Sequence, residues 1–279
     1  MLEVAVIGAG ELGGATAHLL ARRDLASRVQ LVDDRGRVAE GKALDIMQAA
    51  PVEQFTTIVA GSTDVTAAGG ADVVIVADRA AGAEWRGDDG LMLVKRLAGL
   101  APSAIIVCAG WSQRDLVDRA VRELHRDRRR VLGSAPEALA STARALVALE
   151  LDGSPQDITL AVLGNPPSHT IILWDDAAIG GYPLTRFVDG PTRKRLASRI
   201  AAIGPPGPHA LAAAVGKVVD AIEGRSKPIL SCFVATAETG RRTRTVALPV
   251  RLGPAGVEAV VLPELNVADQ VALDNLMLL

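Results

Sequence analysis

The chain has 279 residues, enough for two domains or one large α/β unit. Hydrophobic residues make up 49% and charged residues 22%, the balance of a soluble globular protein, and only 3% are aromatic, so the core is built from Ala, Val, Leu and Ile. A formal net charge of −2 gives no electrostatic ground for a nucleic-acid or anionic-membrane partner, and no segment reaches the ~20 apolar residues that span a bilayer. The chain enters "LEVAVIGAG" without a basic, then apolar leader. A cytoplasmic protein is expected.

Taken in order, "EVAVIG" (3–8), "RVQLVDD" (28–34), "TTIVAG" (56–61), "ADVVIVAD" (71–78) and "SAIIVCAG" (103–110) are near-continuous apolar runs. Strands read this way when helices cover both faces of a parallel sheet. Between them, 12–24, 36–50 and 114–127 carry apolar residues at three- and four-residue steps, the pattern of amphipathic helices. Alternating strand and helix predicts a doubly wound Rossmann sheet of the α/β class. The basic run "HRDRRR" (125–130) reads as a solvated helix end.

The second half predicts a helix at 136–151, strands at 157–164 and 170–174, and helices around 191–202 and 209–223. Three closely spaced strands follow at 228–236, 243–253 and 256–263, the signature of an antiparallel sheet, and then a terminal helix from Asn266. This is a second, α+β domain. The expected division is residues 1–132 and 133–279. Cys108 and Cys232 lie far apart in apolar runs, without metal or disulfide spacing, and read as two buried thiols.

The most specific local signal is "VIGAGELGGATA", which sets Gly8, Gly10 and Gly13 in the spacing G-x-G-x-x-G between a strand and a helix. Gly8 permits the tight turn, Gly10 lets the backbone approach a pyrophosphate, and Gly13 lets the helix pack on the strand. The helix N-terminus offers free N–H groups to phosphate oxygens. Asp33 ends the second strand, twenty residues past Gly13, where a carboxylate receives ribose hydroxyls and disfavours a 2′-phosphate. The expected ligand is NAD, held by Gly8, Ala9, Gly10, Glu11, Leu12, Gly13 and Asp33, with Glu11 pointing to solvent. A glycine turn that binds nothing is the competing reading.

With these residues in place the chain resembles the NAD-dependent malate and lactate dehydrogenases along nearly its whole length. "EGKALDIMQAAPV" (40–52), "ADVVIVAD" with "RGDDGL", "GSPQDITLAVLG", "AAIGGYPL" (177–184) and "VALPVRLGPAGVEAVVLPEL" (246–265) carry the likeness. The resemblance implies hydride transfer between NAD and a 2-hydroxy or 2-oxo acid, in a homodimer or homotetramer. It also implies a histidine that exchanges a proton with the substrate hydroxyl, an aspartate orienting it, and an arginine gripping the substrate carboxylate.

At those places the chain departs from the family. Pro166 takes the histidine position in "GNPPS", Leu139 and Thr142 take the aspartate and arginine positions, and Ala109-Gly110 replaces Asn-Pro after the fifth strand. The sequence Ala77-Asp78-Arg79 replaces Thr-Ala-Gly, and a local slip could bring Arg144 toward the carboxylate site. Two readings follow. One is an NAD-binding protein whose malate or lactate turnover is lost, a pseudoenzyme candidate; no metal is called for. The other is an active NAD-dependent dehydrogenase acting on a different small molecule through a pocket rebuilt from Arg79, Arg86, Asn165, Ser168 and His169, with Trp85 and Arg86 gripping an anion. A protein that binds no nucleotide, its glycine loop closed by Glu11 or its adenosine pocket collapsed, is the third.

Overall fold

The computed structural model describes residues 1–236 and 244–278. Two predicted elements therefore lose one end residue to the undescribed part, Thr243 of the strand at 243–253 and Leu279 of the terminal helix.

The first half folds as β1 (Glu3–Ile7), α1 (Glu11–Arg22), β2 (Arg28–Val32), α2 (Val38–Glu53), β3 (Ile58–Ser62), β4 (Val73–Val76), α3 (Gly87–Leu100), β5 (Ile105–Cys108), α4 (Arg114–Arg122) and β6 (Val131–Gly133). The six strands pair in parallel in the order β3-β2-β1-β4-β5-β6. The order reverses between β1 and β4, and the crevice outside their carboxyl ends is where sheets of this type receive ligands. Two elements were not predicted. Helix α3 begins with Gly87 and two aspartates, which hid its periodicity, and β6 is only three residues long. Helix α4 is shorter than expected, ending at Arg122, and 125–130 is a loop with a turn at 128–129 instead of a helix end.

Burial explains why these strands are apolar throughout. Val4 and Val6 of β1 enter one core cluster while Ala5 and Ile7 enter the other, and Ile105/Val107 and Ile106/Cys108 of β5 divide the same way. Alternate side chains leave a strand on opposite faces, so a sheet covered twice needs apolar residues at every position.

The second half comprises α5 (Ala135–Leu151), β7 (Ile158–Thr159), β8 (Val162–Asn165), β9 (His169–Ile172), β10 (Ala178–Ile179), β11 (Tyr182–Pro183), α6 (Gly190–Ala202), α7 (Pro208–Glu223), β12 (Ile229–Ala235), β13 (Thr245–Gly253), β14 (Gly256–Val260) and α8 (Val267–Leu278). The predicted strand at 157–164 is broken into β7 and β8, and β7 pairs with β10, which pairs with β11, in a small separate sheet. Strands β12, β13 and β14 are antiparallel as expected, and β8 and β9 join them antiparallel on the other side of β13. They do not form a second sheet, because β12 pairs with β6 through Phe233 and Gly133 and makes the whole array continuous. A Cβ on Gly133 would lie 3.1 Å from the Phe233 ring, so any larger residue would crowd the junction between the two halves of the sheet.

Candidate functional site

The glycine loop lies at the reversal point, between the ends of β1 and β4. Gly8 has φ +104°, a conformation only glycine adopts freely, and a Cβ there would collide with the main chain of Asp78. A Cβ on Gly13 would strike the Gly8 carbonyl, so the helix packs on the turn as the spacing predicts. Glu11 is exposed.

The room left by Gly10 is filled by the protein itself. A Cβ at this position would overlap the carboxyl group of Asp78, the second residue past β4. Asp78 Oδ1 accepts a hydrogen bond from the Gly13 amide at 2.9 Å and Oδ2 one from the Leu12 amide at 3.2 Å, while the Gly10 amide donates to the Asp78 carbonyl at 3.0 Å. The side chain is only 9% exposed. A carboxylate is thus seated on the N-terminal amides and positive dipole end of α1, the donors that receive an anion in such loops.

Asp33 is also turned inward. Its Oδ2 accepts from the Ala9 and Ala80 amides, both at 2.8 Å, and its Oδ1 from the Arg35 amide at 3.0 Å. Lys42 Nζ donates to the Gly10 carbonyl at 2.7 Å and steadies the loop from outside.

The segment after Asp78 folds back on itself. Asp78 and Glu84 form an isolated antiparallel bridge, and the Arg79 amide donates to the Ala83 carbonyl at 2.8 Å. The Arg79 guanidinium lies 3.7 Å above the Trp85 ring and 3.4 Å from Asp89. Trp85 is therefore stacked by Arg79, not by Arg86 with a bound anion; Arg86 projects from the start of α3, 62% exposed and 3.7 Å from Glu84. Glu84 accepts hydrogen bonds from the Trp111 amide at 3.0 Å and the Ser112 amide at 2.9 Å. Gly110 lets Glu84 approach: a Cβ would come within 2.7 Å of its carboxyl carbon.

At the far end of the groove, β8 and β9 form a hairpin in which Asn165 faces His169 across the ladder. Pro166 is buried in the connecting turn and Pro167 and Ser168 are exposed. His169 is exposed; in an extended strand its side chain leaves the face opposite to Thr170, while Ser168 sits in the turn before it. Those two neighbours line a cavity of about 550 Å³ with Trp111, Leu139, Pro167 and Trp174 among its walls, and His169 does not. The position expected for an orienting carboxylate therefore presents a leucine to a mostly apolar cavity, whose carboxylate, Asp269, comes from the terminal helix. Thr142 donates its hydroxyl to the Ala138 carbonyl one turn back at 3.0 Å.

Arg144 is bound elsewhere. It pairs with Glu137 of the same helix at 2.5 Å, where Glu137 is 2% exposed and also accepts from the Ser231 amide at 3.0 Å, with Lys217 at 3.6 Å. This pair ties α5 to β12. The slip that would move Arg144 to a substrate carboxylate is not taken.

His18 pairs with Glu53 at 3.0 Å, and both cysteines are buried and unpaired. Burial pushes the Cys108 thiol up to about 12, and burial together with Glu137 raises that of Cys232. Among the described residues no group of His, Cys, Asp and Glu is placed to hold a metal, and no helix is long and apolar enough to cross a membrane.

A family model described as the NAD-binding domain of lactate/malate dehydrogenase matches residues 2–99. The malate dehydrogenase of Thioalkalivibrio sulfidiphilus is 32% identical, over 94% of this chain and 91% of its own, and that of Thermomicrobium roseum 29% identical, over 97% and 93%. Among solved structures, the malate dehydrogenase of Salinibacter ruber superposes with a TM-score of 0.89 at 25% identity, covering 99% of this chain and 94% of that one. The enzyme of Aeropyrum pernix, at 20% identity and a TM-score of 0.88, shares the fold. NAD is the cofactor of the matched domain, and the frame for it is present in β1, the glycine loop, α1 and Asp33. As folded, however, the Leu12 and Gly13 amides at the start of α1 donate to Asp78. Fold, glycine loop and whole-chain identity agree: this chain belongs to the malate/lactate dehydrogenase family.

Proposed function

We propose that this protein retains the family's fold and coenzyme domain and no longer turns over malate or lactate. The observation that carries the reading is Pro166, buried in the turn after β8 where the resemblance places the proton-transferring histidine. Bound NAD supplies the acceptor or donor of a hydride, and a side chain has to move the accompanying proton on the substrate oxygen. A proline ring holds no such proton.

Three further features support it. Leu139 contributes a hydrocarbon wall where a carboxylate would orient an imidazole, Thr142 donates within its own helix, and Arg144 is committed to Glu137. Losing a general acid/base alone costs about 10²–10⁴ in rate. Losing the bidentate carboxylate grip as well removes the positioning of the substrate. The relatives bear the name malate dehydrogenase, which speaks for ordinary activity in them; this chain departs at the positions that activity needs. The alternative of a rebuilt dehydrogenase pocket around Arg79, Arg86, Asn165, Ser168 and His169 gains no support from an exposed His169 or from an Arg79 stacked on Trp85.

On the same reading residues 1–132 are the coenzyme unit and 133–279 the substrate-type unit, in a cytoplasmic homodimer or homotetramer. The test is steady-state oxidation of NADH with oxaloacetate or pyruvate at millimolar concentration. The expected result is no rate above the protein-free control. A kcat within the roughly 1–10³ s⁻¹ ordinary for enzymes would overturn the reading.

A further inference from the structure

We propose that Asp78 sets the coenzyme affinity of this protein: it is an internal stand-in for the pyrophosphate, and the segment from Asp78 to Trp85 is a clasp that must withdraw before NAD can bind. The inference rests on the reading of 1–132 as a coenzyme unit and concerns how that unit is gated.

Four contacts along one segment close the groove from end to end. Asp78 takes the Leu12 and Gly13 amides, where the pyrophosphate would lie. The Ala80 amide donates to Asp33, the acid that would receive the adenosine ribose. Arg79 and Trp85 stack across the clasp. Glu84 takes the Trp111 and Ser112 amides in the loop after β5. Two carboxylates of one segment thus satisfy two separate sets of main-chain donors that have no other acceptor in these contacts. The glycines at both places, Gly10 and Gly110, leave space that is filled by Asp78 and Glu84.

The competition is both steric and electrostatic. A pyrophosphate oxygen and Asp78 cannot occupy the same amides, and a buried carboxylate left beside a bound pyrophosphate would repel it at close range. Binding therefore requires Asp78 to leave, and the observed affinity is the intrinsic one reduced by the fraction of molecules with the clasp open.

The closed state also carries a cost that favours its release. Arg79 Nε and Trp85 Nε1 are buried with no hydrogen-bond partner among the described residues. A buried donor without a partner is destabilising. Withdrawal returns both groups to water.

The test is calorimetric titration of the full-length chain with NAD, comparing wild type with Asp78→Ala, Asp78→Asn and Glu84→Gln, each checked for native far-ultraviolet circular dichroism and a cooperative melt. Asp78→Ala is expected to tighten NAD binding by about tenfold or more, ~1.4 kcal/mol. Asp78→Asn keeps the shape of the clasp without its charge, and it should fall between the two if the alanine variant folds or carry the test alone if it does not. Glu84→Gln should tighten binding less, because it releases only the second anchor. The proposal is overturned if wild type already binds at micromolar concentration, if folded Asp78 variants bind no tighter than wild type, or if none binds. Folded Asp78 variants that bind NAD no tighter than wild type overturn the clasp and leave the coenzyme reading standing, whereas a protein in which no variant binds NAD fails both.

Discussion

Glu137 and Arg144, seven residues apart on α5, face each other at 2.5 Å in the interior, and the second oxygen of Glu137 reaches across to the Ser231 amide of β12. An arginine that only a local slip in register would bring near a substrate site here pairs with the glutamate that braces a helix against the sheet. Removing one member of a buried pair leaves the other charge uncompensated. Arg144→Met is therefore expected to lower the unfolding free energy by about 3 kcal/mol in urea, with Lys217 at 3.6 Å moderating the loss. NAD titration of this variant should match wild type.

The glycine loop makes a second prediction. At Gly8 the φ of +104° and the collision of a Cβ with the Asp78 main chain are properties of the protein without ligand. Gly8→Ala should therefore destabilise the free chain by more than about 2 kcal/mol, through strain and overpacking together. A loop whose glycines served only the coenzyme would lose affinity and leave the melting temperature of the free protein unchanged.

The two thiols test burial. With Cys108 pushed up to about 12 and Cys232 raised in the same direction, neither forms thiolate near neutral pH. Native protein should show no reaction with a thiol-specific disulfide reagent at pH 8 over minutes, and two equivalents should react after denaturation in guanidinium.

Asp24 tests a pH dependence. The Thr56 amide is the leading cause that holds its carboxyl below the ordinary range, with the Thr57 amide and both threonine hydroxyls adding to it. A carboxylate depressed in the folded state adds stability above its unfolded pKa of about 3.9, and that contribution is lost as the pH falls through the folded value. Wild type should melt higher than Asp24→Asn at pH 7, and the gap should close below roughly pH 4.

Much of this architecture is legible in the sequence because its causes are local. Apolar runs such as "VVIV" mark strands covered on both faces, and Gly8, Gly10 and Gly13 mark the turn by steric necessity. What could not be read depends on neighbours distant in sequence. Nothing near Gly133 says that it meets Phe233 and joins two halves of a sheet. Asp78 stood out as a departure from the family's residues at that place, yet its role needs the knowledge that β4 lies beside β1, so that both strand ends meet at one loop. That strand order could have raised the question of what Asp78 accepts. Glu84 gave no signal, since its partners at 111 and 112 come together only through the bridge that folds the segment back.

A silent assay of the wild type has two causes within this account, a missing proton-transfer group and a closed coenzyme groove. The decisive measurement separates them: a single-turnover experiment with Asp78→Ala in excess over NADH, at millimolar oxaloacetate, with NAD and malate quantified after quenching. The variant is expected to bind NADH and to form no malate, because opening the clasp leaves Pro166 and Leu139 where they are. Malate formed in proportion to NADH consumed would contradict it.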